Sequence, residues 1–534
     1  MIWHILRKDV RLLWAIALAV AAIHFAAAGA QFWLGPLQQP GQLVTIAYLL
    51  SLVSLVGVVV LTLSVMHQDA VPGVRQDWLV RPINRAEMIG AKLLFVALIV
   101  QGPLLLADLG EGLASGFSFP ASLGAAAARN VTVLCFFSLP ALMIGAVTRN
   151  AVESFLVAIA GLVIYVTVIL IGMVLLLGIK TSIGGTGLTW IMGATWYTLA
   201  VAGTAVVMSL QFFRRQTTTA RYLIGAGGAV VILSSFLPWR AAFALETNLS
   251  KQPSLAGAVA LAFNPQLGRF KLPPGAAQAT GVALYFPLRV AGVPAETVML
   301  LDRANIQIRD ATGQTLYAGK SNLSVDGLGS IEDARLEVRQ RARNPVPIDI
   351  YQKIFVPSAV YARLRGQPVE MEIDYSLTLL YLDAMASIPA IGGHAKLQNL
   401  GSCVTGIDGE GDDVQLRCIS AEPTPSCFTA VLEDPPNGLR NPETHVCEPD
   451  YSPFALNFWP DALYRIGGEL PFFDARGLIH YPVDGTKLVD ARLKIETYEP
   501  RAHFTRKLTV RNIELSDFAG PLALSGTVAA AKLQ

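Results

Sequence analysis

Hydrophobic residues in roughly the first 240 positions form long runs, whereas beyond them they alternate with polar residues over short stretches. A helix rising about 1.5 Å per residue needs about 20 apolar residues to cross a hydrocarbon layer about 30 Å thick. Seven runs approach that length: Leu12–Leu34, Leu43–Met66, Leu93–Leu109, Val131–Val147, Phe155–Gly178, Leu188–Phe213 and Tyr222–Trp239. The last is short and holds Gly225, Gly227, Gly228 and Pro238, residues that membrane helices tolerate when neighbours satisfy the backbone. The pattern predicts a polytopic α-helical membrane domain of six or seven spans over residues 1–239.

From Arg240 the period changes to two. Ala283–Val290, Ala304–Arg309, Val369–Tyr375, Leu377–Tyr381, Leu488–Glu496 and Phe504–Leu515 are expected strands, and Asp310–Gln314 an expected hairpin turn. Residues 240–534 are therefore expected to form a soluble all-β or β-rich domain, sandwich-like or divided into two small β-domains.

Composition agrees with this division. The 534 residues are 53% hydrophobic and only 15% charged, against roughly 25% charged in ordinary soluble domains. The formal net charge is +2, which provides no general attraction for nucleic acid. The positive charge in the first half is periodic. Arg7, Lys8 and Arg11 precede the first run; Arg75, Arg81, Arg85 and Lys92 lie between the second and third; Arg149 follows the fourth; Arg214, Arg215 and Arg221 separate the last two. The intervening connections, Gly35–Gln42, Gly110–Ala128 and Ile179–Thr186, contain one base, Lys180. Because Lys and Arg accumulate in short cytoplasmic loops, the N-terminus is expected inside. Seven crossings would then place the second half outside the cytoplasm of an inner or plasma membrane. Ala28-Gly29-Ala30 imitates a signal-peptide cleavage site, but the apolar run before it is longer than usual for one, so an uncleaved helix is expected.

Met1–Trp14 places Ile2, Ile5 and Leu6 on one helical face and Arg7, Lys8 and Arg11 on the other; Asp9 interrupts the apolar face. With Trp3 at its start, this segment fits an interfacial helix in contact with lipid. Between the second and third runs come Asp69-Ala-Val-Pro-Gly73, Trp78-Leu-Val-Arg-Pro-Ile-Asn-Arg85 and Ala91-Lys-Leu-Leu94. This order resembles the permease subunits of ABC-2 type transporters over about the first 240 residues, with Asp69, Gly73, Pro82, Ile83, Arg85 and Lys92 as the matching positions. The resemblance implies a homodimeric or heterodimeric transport path driven by a separate cytoplasmic ATP-binding subunit that docks between spans two and three. Asp69, Gly73, Arg75, Trp78, Arg81, Pro82 and Arg85 are the candidate coupling segment. Aromatic and Arg residues together are also what protein interfaces favour. Against this stands the simpler reading that the arginines obey the positive-inside rule and meet lipid phosphates. The seventh span and the large second half depart from the typical permease of the family.

Other chemistry is sparse. His24, Gln101, Asp108 and Glu153 are the polar residues of the runs; Asp108 and Glu153 lie near enough to the ends for hydration, and Gly102-Pro103 and Pro140 are expected kinks. Cys135 stands alone in a run, while Cys403, Cys418, Cys427 and Cys447 form an even set that fits two disulfides in an oxidising compartment. Proximity favours Cys403 with Cys418 and Cys427 with Cys447. No pair has the close Cys-x-x-Cys spacing usual for structural zinc, so no metal or other cofactor is expected. Gly313–Ser321 has one residue too many for a phosphate loop and lies among strands, and no hydrolase or metalloprotease motif is present. The chain is therefore expected not to be an enzyme: either a permease subunit, or a non-transporting anchor or sensor presenting an extracytoplasmic β-domain to envelope partners.

Overall fold

A computed structural model describes residues 1–34, 42–69, 84–172, 189–234, 239–267, 281–310, 312–322, 337–340, 347–397, 400–407, 414–419, 427–434, 439–440, 444–447, 472–474 and 490–521. The helical part comprises α1 (Ile2–Leu34), α2 (Gln42–His67), α3 (Arg85–Phe95), α4 (Gln101–Ala114), α5 (Phe119–Val133), α6 (Leu139–Val147), α7 (Ala151–Gly172), α8 (Thr189–Ser209), α9 (Thr217–Ser234) and α10 (Trp239–Asn248). Single π-turns join α3 to α4 at Val96–Val100 and α5 to α6 at Leu134–Ser138, and another extends α8 over Leu210–Arg214. The first two stand just before Pro103 and Pro140, where a missing backbone N–H disturbs the regular helical ladder.

Six helical segments are long and apolar enough to cross a membrane: Ile2–Ala30, Leu49–His67, Arg85–Ala114, Phe119–Val147, Ala151–Val168 and Gly193–Arg214. The chain is a polytopic membrane protein. The expected seventh span corresponds to α9, an 18-residue helix that is not one of these six. It nevertheless runs back along α8: Gln211 Nε2 donates to Thr217 Oγ1 at one end, and Gly227 faces Leu199 further along. No break separates an interfacial helix from the first span. Trp3, Arg7, Lys8 and Arg11 occupy the opening turns of the same continuous α1.

The remaining described residues are β-rich rather than all-β, since α11 (Ser358–Leu364) interrupts the strands. All pairings are antiparallel. One four-stranded sheet contains β1 (Ala260–Phe263), β2 (Gly281–Ala291), β6 (Ile348–Pro357) and β16 (Ala519–Pro521). An eight-stranded sheet contains β3 (Thr297–Arg309), β4 (Thr315–Asn322), β5 (Glu337–Gln340), β7 (Pro368–Pro389), β11 (Cys427–Asp434), β12 (Leu439–Arg440), β13 (Thr444–Cys447) and β15 (Arg492–Glu514). The third sheet contains β8 (His394–Leu397), β9 (Gly401–Ile407), β10 (Val414–Ile419) and β14 (Phe472–Asp474). The expected β3–β4 turn is present, with Asp310 Oδ1 accepting from the Thr312 and Gln314 amides and Gly313 at φ +84°.

Two pairs of expected strands are each a single long strand, β7 and β15, which join two cores. Phe286, Leu288 and Ile354 of the first sheet pack against Ile373, Leu377 and Phe504. Val414, Leu416 and Leu397 of the third pack against Ile388, Leu493 and Ile495. The apolar positions of β7 change from odd to even numbers between the cores, which in a regular strand would send them to opposite faces. The register shifts at Thr497/Tyr498 and Pro500/Ala502 reset the alternation, so both cores form on one face of the long ribbon.

The third sheet also meets the helices. Ile419 and Val404 pack with Phe117, Ala121, Ala125 and Ala126 at the α4–α5 turn. That end of the bundle is opposite the one marked by Arg85, Arg149, Arg214 and Arg221. The α10 helix and the residues just after it make the second junction, with Phe243 edge-on to His503 and Ser250 Oγ accepting from the His503 amide.

Candidate functional site

Charged residues have to find partners inside an apolar bundle, because an isolated buried charge costs far more than folding can supply. At the arginine-rich end they do so in a closed set of four. Lys92 of α3 is fully buried. Its Nζ lies 2.9 Å from Asp9 Oδ2 of α1 and 2.6 Å from Asp69 Oδ2, just beyond α2. Lys8 closes the set, with Nζ 2.8 Å from Asp69 Oδ1 and 3.5 Å from Asp9 Oδ1. Two lysines and two aspartates cancel in charge, and each contacts both opposite charges. Burial pushes the Asp69 carboxyl up, but the Lys92 ammonium and the hydrogen bonds from Lys8 and Lys92 outweigh it and hold Asp69 below the usual carboxylate range.

Helix geometry places these groups. Lys8 and Asp9 sit one turn from Leu6 and Leu13, which enter the helical core with Met66, Met88 and Phe95. Asn84 Oδ1 accepts from the Ala86 amide and starts α3, so that Lys92 faces inward about two turns later. The Arg85 guanidinium donates to the Phe213 carbonyl at 2.7 Å, tying the start of α3 to the end of α8.

Of the expected coupling residues, Asp69 and Arg85 are therefore anchored on either side of residues 70–83. Gly73, Arg75, Trp78, Arg81 and Pro82 lie outside the described residues. Of the expected interfacial set, Trp3, Arg7 and Arg11 are exposed on α1, while Lys8 turns to the ion cluster. Asp9, which looked like a flaw in an amphipathic face, is the buried counter-ion of Lys92. Two opposite charges on otherwise apolar helical faces were the available signal.

The same end carries further ties. His67 Nε2 lies 3.1 Å from both Thr148 Oγ1 and Ser154 Oγ. Arg221 donates to the Val147 carbonyl and to Glu153 Oε1, the latter at 2.8 Å.

A second polar group lies toward the opposite end. Asp108 of α4 is buried and paired with Arg129 of α5, which corrects the expectation of a hydrated carboxylate. His24 pairs with Ser54 across α1 and α2. Gln101 Nε2 donates to Ser138 Oγ at 2.7 Å, and Asn130 Nδ2 to the Gln101 carbonyl at 3.0 Å. Asp108 Oδ2, Gln101 Oε1 and His24 Nε2 keep buried hydrogen-bonding capacity beyond these contacts.

In the β-rich part, Cys403 and Cys418 form the expected disulfide between register partners of β9 and β10. Cys427 is also disulfide-bonded and stands opposite Cys447 in the β11–β13 register. Cys135 is a buried free thiol. Among the described residues no group of three metal-ligating side chains converges. No protein-family model matches the chain, and a search of curated proteins finds no match.

Proposed function

We propose that the chain is the membrane-spanning permease subunit of an ATP-driven transporter, with ATP bound by a separate cytoplasmic chain. The observation that carries this reading is the Lys8–Asp9–Asp69–Lys92 cluster, which fastens the loop between the second and third spans at its entry, while Arg85 fastens its exit. A docking loop that transmits force needs such rigid footings. The sequence resemblance assigns the same loop to ATPase coupling, with Arg75, Trp78, Arg81 and Arg85 as the contact groups.

In this reading the N-terminus and the arginine-rich end are cytoplasmic, and the β-rich domain lies outside with its disulfides. The antiparallel course of α9 along α8 supports that placement, because it returns the chain to the end where the third sheet meets Phe117. Two permease chains, identical or different, would form the path, and the β-rich domain would meet substrate or an envelope partner. This assignment gives the chain no catalytic group and no cofactor of its own.

The test is affinity purification of the tagged full chain from its native membranes in mild detergent. A cytoplasmic ATP-binding subunit recovered in stoichiometric amount, and lost with Trp78→Ala or Arg85→Gln, is the expected result. Repeated recovery of folded protein without such a subunit would overturn the permease reading in favour of a membrane anchor organised around its β-rich domain.

A further inference from the structure

The end of α8 combines three features. Its last turn is widened into the π-turn Leu210–Arg214, followed by Arg215 in the left-handed region at φ +55°. Beside that turn opens a groove of about 370 Å³ lined by Ala205, Val206, Ser209, Leu210, Phe213 and Arg214. Ala205 and Ser209, one helical turn apart, are its small residues, while the side chains of Val206 and Phe213 are about half exposed on a membrane-spanning segment.

The third feature is charge. Arg129 and Arg221 each have a carboxylate partner, but among the described residues no ion pair engages Arg214 or Arg215. Two exposed guanidinium groups thus stand at the polar end of an apolar groove. The guanidinium fork matches phosphate oxygens in geometry as well as charge.

We propose that this groove binds one anionic phospholipid, with an acyl chain against Val206, Leu210 and Phe213 and the headgroup phosphate on Arg214, supported by Arg215. The apolar wall favours a lipid over a free phosphate ion. Two adjacent positive charges without a carboxylate favour a headgroup of net negative charge over one that also carries an ammonium. Since Arg85 donates to the Phe213 carbonyl at the groove's end, an occupied groove also steadies the start of α3. The proposal does not depend on the permease reading.

The test uses the purified full chain in nanodiscs of equal phosphatidylglycerol and phosphatidylcholine, followed by native mass spectrometry of the released protein. One phosphatidylglycerol per chain is expected to persist, at about tenfold over phosphatidylcholine. Arg214→Gln, which removes the phosphate contact, and Ser209→Leu, which fills the groove, should each bring the two lipids close to parity. Arg214→Lys should retain part of the preference, separating lost charge from misfolding. Equal retention of both lipids by the unaltered chain, or undiminished preference in both Arg214→Gln and Ser209→Leu, would show only a general lipid annulus and overturn the site. Displacement of the retained lipid by millimolar inorganic phosphate would overturn the assignment to a phospholipid.

Discussion

The two buried ionic groups of the helical bundle solve the same problem unequally. At the arginine-rich end, Lys8, Asp9, Asp69 and Lys92 form a closed set in which every charge meets two of the opposite sign. Toward the other end, Asp108 has a single ionic partner, Arg129; one oxygen of Asp108, like Asp9 Oδ1 in the closed set, lies outside any hydrogen bond. The closed set joins three segments distant in sequence and acts as a clamp. The open pair joins two neighbouring helices and leaves polar capacity in the bundle. The first therefore fastens segments on either side of residues 70–83, while the second fastens only α4 to α5.

The sharpest way to break this comparison is Lys92→Met. It would leave Asp9 fully buried beside Asp69 with only the more exposed Lys8 to compensate. Removing one member of a buried ion pair costs about 3–5 kcal/mol, and a large fall in the thermal midpoint of the detergent-solubilised chain is expected. The double change Asp9→Leu with Lys92→Met keeps the Lys8–Asp69 pair and should recover much of the loss. If Lys92→Met melts like the unaltered protein, the cluster is not a clamp.

These contacts show how far the sequence could be read. The six apolar helices were legible because lipid demands a continuous apolar run, a property carried by each segment alone. The partnership of Asp9 with Lys92 was not, since it depends on the packing of α1 against α3 across 83 residues of chain. The strands at Ala283–Val290 and Ala304–Arg309 were likewise plain from period-two patterning, and β2 and β3 contain them. The merging of two expected strands into β7, and of two into β15, was hidden by changes of apolar parity that looked like interruptions. Those changes mark the bulges that keep both cores on one face. Proximity in sequence did identify Cys403 with Cys418, because antiparallel neighbours β9 and β10 place them in register.

The β-rich part has charge clusters of its own, with Glu372 paired to both Arg309 and Lys507, and pH separates it from the helical clamp through a histidine. His503 Nδ1 lies 2.8 Å from Thr378 Oγ1, which donates to Asp302 Oδ2 at 2.7 Å, while Phe243 of α10 covers the ring. Burial lowers its titration from 6.5 to about 4. The unfolded chain consequently takes up the proton first as pH falls, so stability is intact above 6.5 and is lost progressively down to about 4. At about 1.4 kcal/mol per pH unit between 6.5 and about 4 the loss is at most about 3.5 kcal/mol, reduced by solvent screening. Hydrogen exchange of β15 and α10 amides in the full chain, taken from pH 7 to pH 4, should show weakening protection after correction for intrinsic rates. His503→Gln should flatten that dependence, and an unchanged slope would remove His503 from the junction's response.

The smallest expected effect concerns the open pair. Arg129→Met leaves the Asp108 carboxyl without its ionic partner, but it breaks one ion pair between two neighbouring helices, whereas Lys92→Met breaks two that join three segments. The cost should be roughly 2 kcal/mol, the scale of one buried polar group left unsatisfied, and Asp108→Asn with Arg129→Met should return most of it. Thermal unfolding of these variants beside Lys92→Met decides the ranking. A loss for Arg129→Met equal to or greater than that for Lys92→Met would mean that the Asp108–Arg129 pair, at the end where the third sheet meets Phe117, is the stronger fastening.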